Sequence, residues 1–119
     1  MTFVSMRIAG ADHAASTGRT FHRLNPVTGE VASVAAAATV ADAIAAADAA
    51  AAAFPAWAAL GPNARRAVLL KAADALAAKR DALVAAMASE IGATAAWAGF
   101  NVMLASSMLR EAAALTTQV

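Results

Sequence analysis

The chain has 119 residues, a net charge of +1 and no cysteine, which excludes disulfides, Cys-ligated zinc and a Cys nucleophile. Without a Lys/Arg run or a basic face, neither nucleic acid nor an anionic membrane surface finds anything to bind. The composition is 61% hydrophobic and 14% charged, but much of the apolar share is alanine, which favours helix and buries little area, so the core of this one modest domain is smaller than the percentage suggests.

Residues 1–19 are mixed and glycine-containing, and read as an irregular or weakly extended N-terminal arm. The opening MTFVSMRIAGADHA has neither the basic start nor the longer apolar run of a signal peptide, so the cytoplasm is the expected compartment. His13 and His22 have no acidic or His partner at metal-ligand spacing, and no metal site is expected.

The stretch RTFHRLNPVTGEVASV follows. Two short runs with Phe, Leu and Val flank NPVTG. Pro26 presets φ for a turn and Gly29 can take the positive φ that closes it. This predicts a β-hairpin with strands near 20–25 and 30–36 and one solvated face.

Thr39 opens the first predicted helix, with Asp42 three residues later completing a capping-box-like pair. Val40, Ile44, Ala47, Ala51 and Phe54 recur at helical spacing over about 40–54, and Pro55 ends or bends the helix. Phe54, Trp57 and Leu60 are expected to form a short packed turn. Gly61-Pro62 then starts a long helix over about 63–90, with proline at a first helical position. Leu69, Ala73, Leu76, Leu83, Met87 and Ile91 form its apolar stripe, which Arg80 interrupts, snorkelling or paired, or else anchoring a neighbouring segment. Gly92 suits a left-handed cap. The last helix, about 94–116, contains most of an uncharged run, residues 91–109.

That run spans about 28 Å as a helix, close to a bilayer core. Thr94, Asn101, Ser106, Ser107 and two glycines argue against a membrane span, as does the absence of a flanking Lys/Arg cluster. Trp97, Phe100, Val102, Met103, Leu104, Met108 and Leu109 point around the helical wheel. A helix apolar on all sides needs cover on all sides, and two Ala-rich helices and a hairpin are too few to give it. Further polypeptide is expected to cover the rest.

In order, LNPVTGEVASV, FPAWAAL and RRAVLLKAADALAAKRDALVAAMASEIG resemble the start of the NAD(P)-dependent aldehyde dehydrogenase superfamily over about residues 20–119. The tail GATAAWAGFNVMLASSMLREAAALTTQ resembles the salicylaldehyde dehydrogenase branch, near the vanillin and benzaldehyde dehydrogenases. The resemblance implies an α/β enzyme several times longer, of which this chain is an N-terminal piece truncated at Val119. By itself that piece is mostly α with one N-terminal β-hairpin. Intact relatives are implied to be homo-oligomers with a Rossmann-like cofactor domain.

The family's chemistry is covalent: a cysteine thiolate attacks the aldehyde, hydride passes to nicotinamide, and a glutamate activates water. None of those groups maps to this chain, so no catalytic, cofactor-binding or metal residue is assigned and the chain alone is expected to be inactive. NAD(P) and an aromatic aldehyde are implied for the intact enzyme only. Glu30, Glu90 and Glu111 have no arrangement suited to a general base. Trp97, Phe100, Asn101 and Leu104 share one helix face, which the resemblance places beside the aldehyde tunnel; they are the candidate substrate-channel lining. The competing reading is a small helical interaction or dimerisation module using 91–109, and a more remote one is a single-span membrane peptide.

Overall fold

The computed structural model describes residues 2–118; Val119, where the sequence reading sets a truncation, lies outside the described residues. The chain divides into two compact units, Met1–Ala58 and Ala59–Val119.

The first unit holds five short strands and one helix. β1 (Thr2–Val4), β4 (Thr20–Leu24) and β5 (Val31–Ala36) form a sheet in the order β1-β5-β4, while β2 (Met6–Ile8) pairs with β3 (Ala11–His13). The β4–β5 pairing is antiparallel, with Phe21 opposite Ala35 and Arg23 opposite Ser33. The turn between them is fixed by Asn25, whose Oδ1 accepts from the Val27 and Thr28 N–H groups at 2.8 and 3.2 Å. Gly29 sits at φ +74 and donates to the Asn25 carbonyl, the left-handed conformation that only glycine adopts without strain.

Three features of this unit differ from expectation. Residues 2–13, read as an irregular or weakly extended arm, are extended and form paired strands. β1 pairs in parallel with β5, with Phe3 opposite Val34. β2 and β3 close through Ala9 and Gly10, both at positive φ, the geometry of a tight hairpin turn. Arg7 and Asp12 are opposite one another in that ladder and pair at 2.9 Å. Secondly, β4 has no buried face; the apolar packing is concentrated in β5, at Val34 and Ala35, with Ser33 buried beside them.

Thirdly, α1 (Val40–Ala58) does not end at Pro55 but continues through it to Ala58. A proline near the end removes one helical hydrogen bond and leaves the others intact. Phe54 is 64% exposed, so no packed aromatic turn forms there. By length and composition α1 is the helix among the described residues that could cross a membrane; its apolarity comes mainly from alanine.

The N-terminus of α1 is built as a reciprocal cap. The Thr39 N–H donates to Asp42 Oδ2 at 2.8 Å, and the Asp42 N–H donates to Thr39 Oγ1 at 3.2 Å. The Ser16 N–H adds donations to both carboxylate oxygens, tying residue 16 to the helix start. These bonds, that from Thr39 first, hold the Asp42 carboxyl below its ordinary value. A carboxyl whose pKa is lower folded than unfolded stabilises the fold above its unfolded value, about 4. That stability is lost as pH falls through the folded value. Asp42→Asn is therefore expected to lower the melting temperature at neutral pH and to match the parent in strong acid, as read by circular dichroism. An equal deficit at both pH values would show that charge is not the stabilising element.

The second unit is helical: α2 (Pro62–Ala78), α3 (Arg80–Ile91) and α4 (Ala95–Leu115). The single helix expected over 63–90 is two helices, broken at Lys79, where the backbone departs to φ −92 and ψ 9 and the N–H turns back to the Leu76 carbonyl. Gly92 ends α3 at φ +68, and Thr94 caps α4 by accepting from the Trp97 N–H at 3.3 Å. α4 packs against both α2 and α3.

Candidate functional site

The packing of α4 decides which of its residues are available for anything else. Ala98, Gly99, Val102, Ser106 and Ala113 are its buried residues, and they recur near every fourth position, one stripe of a helix. They are small, which lets α2 approach α4 closely: Ala73 of α2 is fully buried, as is Ala98 elsewhere on α4. The Ser106 hydroxyl donates to the Ala73 carbonyl at 3.1 Å across this contact, so its burial leaves no polar atom unpaired. At the rim Arg110 pairs with Asp74.

Most of the large apolar side chains of α4 lie away from that stripe. Trp97 is 58% exposed and Met103 59%, and Phe100, Leu104 and Met108 are exposed with them. The uncharged run therefore lacks cover on one side in this unit, as the sequence reading anticipated. The four channel candidates do come together. Trp97, Asn101 and Leu104 stand at i, i+4 and i+7, and Phe100 stacks on Trp97 with ring centroids 5.6 Å apart and planes 26° apart. Asn101 Nδ2 donates to the Trp97 carbonyl at 2.8 Å, which spends part of its amide on the helix itself. The result is an aromatic wall with one polar edge.

A groove of about 550 Å³ flanks this wall, lined by Phe100, Val102, Met103, Ser106, Ser107 and Arg80 among others. Arg80 was expected to interrupt an apolar stripe, snorkelling, paired or anchoring a neighbouring segment. The break at Lys79 instead starts α3 on it, and its guanidinium lies across Gly99, with Nη2 2.7 Å from where a Cβ would stand. Its Nη1 pairs with Asp81 at 3.1 Å.

Nothing among the described residues forms a metal cluster of three or more His, Cys, Asp or Glu. At the β5–α1 junction the Asp42 N–H is taken by Thr39 Oγ1 and the Thr39 N–H by the Asp42 carboxylate, and a carboxylate at a helix start disfavours phosphate there.

The architecture has close counterparts among known proteins. The model of the family described as "Aldehyde dehydrogenase family" matches residues 13–119. The chain belongs to the aldehyde dehydrogenase family. A vanillin dehydrogenase from Pseudomonas fluorescens is 58% identical over 119 residues, all of this chain and 24% of the relative. The crystal structure of a salicylaldehyde dehydrogenase from Pseudomonas putida G7, complexed with salicylaldehyde, superposes with a TM-score of 0.96 at 45% identity, covering 99% of this chain and 24% of that one. An NAD-dependent benzaldehyde dehydrogenase from Corynebacterium glutamicum superposes at 0.91 with 28% identity, covering 98% and 25%. This aldehyde dehydrogenase chain thus spans about a quarter of the length of the relatives it matches. Those relatives are aromatic aldehyde dehydrogenases, NAD-dependent in the benzaldehyde case.

Proposed function

We propose that the chain serves as one quarter of an enzyme that oxidises aromatic aldehydes to carboxylic acids with NAD(P), and that Trp97, Phe100, Asn101 and Leu104 line its aldehyde channel. The observation that carries this reading is identity over the whole chain to a vanillin dehydrogenase, 58%. The exposed, stacked Trp97–Phe100 pair supports the channel assignment, because aromatic faces pair favourably with a planar aromatic ring.

The division of labour follows from the residues present. A chain without cysteine has no thiolate to attack a carbonyl, and its helix-capping carboxylate is committed to backbone N–H groups. Its contribution is to bind and orient the aldehyde ring and to exclude water from one side of the channel. The reacting groups, the nicotinamide site and the oligomer contacts of the intact enzyme are supplied by the remaining polypeptide.

The test is a graft. Residues 1–119 replace the matching quarter of the P. fluorescens vanillin dehydrogenase, and reduction of NAD and of NADP is followed with vanillin, salicylaldehyde, benzaldehyde and acetaldehyde. Aromatic-aldehyde-dependent reduction is expected from the graft and none from the 119-residue chain alone. A folded graft with no aldehyde-dependent reduction overturns the proposal. In that event a well-behaved oligomer of the isolated chain would favour the interaction module.

A further inference from the structure

We infer that Asn101 reads a hydroxyl on the ring of the aldehyde: its Oδ1 accepts the phenol O–H, so the chain favours hydroxylated aromatic aldehydes over those whose ring carries no donor. The inference rests on the functional reading above and narrows the substrate class of that same wall.

Three observations carry it. Asn101 is the one polar side chain among the four of the aromatic wall, and residues 95–109 supply no charge beside it. Secondly, the orientation of its amide is fixed. Nδ2 donates to the Trp97 carbonyl at 2.8 Å, and a carbonyl only accepts, so turning the amide over would set two oxygens against each other. Oδ1 is therefore held on the other side of the planar amide, one turn from the stacked Trp97 and Phe100 rings. It accepts no hydrogen bond among the described residues. An idle acceptor beside apolar surfaces is satisfied by a ring hydroxyl and not by a bare ring. A substrate without a donor strips water from Oδ1 and gives nothing in return.

The third observation is the order of the relatives. Vanillin and salicylaldehyde both carry a ring hydroxyl, and their dehydrogenases are 58% and 45% identical to this chain. Benzaldehyde has none, and its dehydrogenase is 28% identical.

The test compares the vanillin dehydrogenase graft with its Asn101→Leu variant, which keeps the side-chain volume and removes both polar groups. The readout is kcat/KM for benzaldehydes carrying hydroxyl, methoxy or fluoro at the ortho or para position. Fluorine is close in size to hydroxyl and donates nothing; a methoxy oxygen accepts but does not donate. In the variant the hydroxyl-to-fluoro ratio is expected to fall about three- to tenfold at one ring position or both, the worth of one neutral hydrogen bond. The methoxy-to-fluoro ratio is expected to stay where it was. Comparing each ratio between the two proteins cancels the intrinsic reactivity of the aldehydes, and a general loss of folding lowers all the rates alike.

An active graft whose hydroxyl-to-fluoro ratios are the same with asparagine and with leucine overturns the inference and leaves the functional reading standing. A methoxy ratio that falls together with the hydroxyl ratio makes the Asn101 N–H the contact and overturns the assignment to Oδ1. A folded graft without activity counts against the functional reading. Calorimetric binding of the hydroxyl and fluoro aldehydes to that graft then decides Asn101 separately: an affinity ratio that falls in Asn101→Leu supports it, and an unchanged one overturns it.

Discussion

Replacing Ala73 with leucine is expected to abolish cooperative folding of the helical unit. Ala73 is fully buried where α2 meets α4, and its carbonyl accepts the Ser106 hydroxyl at 3.1 Å. Three added carbons have no space to enter. Overpacking of a filled core costs about 1–3 kcal/mol. Pushing the helices apart also breaks the Ser106 bond, and a buried hydroxyl left unpaired costs about 1–3 kcal/mol more. A small unit has only about 0.05–0.15 kcal/mol per residue to lose, so the sum reaches the whole of its stability. The melting curve by circular dichroism is the measurement. Leu104→Ala, on the exposed side, is the control and is expected to change stability by no more than about 0.5 kcal/mol. A cooperative melt in Ala73→Leu near the parent temperature would mean that this contact does not hold the helices together.

The second large effect concerns selectivity. In the vanillin dehydrogenase graft, Trp97→Ala is expected to lower kcat/KM for vanillin and benzaldehyde by about 10–100-fold relative to acetaldehyde. Trp97 is 58% exposed and stacks on Phe100, so its removal costs the fold little and takes away the wall against which a substrate ring is proposed to lie. Losing a well-placed apolar contact in a pocket is worth about 1–3 kcal/mol of discrimination. The ratio of the two kcat/KM values is the readout, because a general loss of folding lowers both alike. An unchanged ratio would return Trp97 to simple packing between parts of the enzyme.

The elements most legible in the sequence are those with local causes. The Thr39–Asp42 cap, the Gly29 turn and the left-handed end at Gly92 each follow from one residue type and its backbone requirement, and each is present. The need for outside cover over 91–109 also follows from the wheel alone, and Trp97, Phe100, Met103 and Met108 are exposed as that argument requires. What escaped has non-local or unmarked causes. β1 is a strand because β5 lies beside it, some thirty positions later, and three residues carry no period to read. The Ala9-Gly10 turn lacks the usual asparagine signal. The break at Lys79 has no glycine or proline to announce it, so one apolar stripe stood for two helices. The position of Arg80 over Gly99 depends on that break and was hidden with it.

The parallel pairing of β1 with β5 has a cost that falls on handling this molecule. β1 shields the one strand of its sheet that has buried residues on it. Shortening the chain by its first few residues would leave β5 with a bare ladder of N–H and C=O groups along an apolar strand, an invitation to pair with another molecule. Trimming at that end is a route to precipitation.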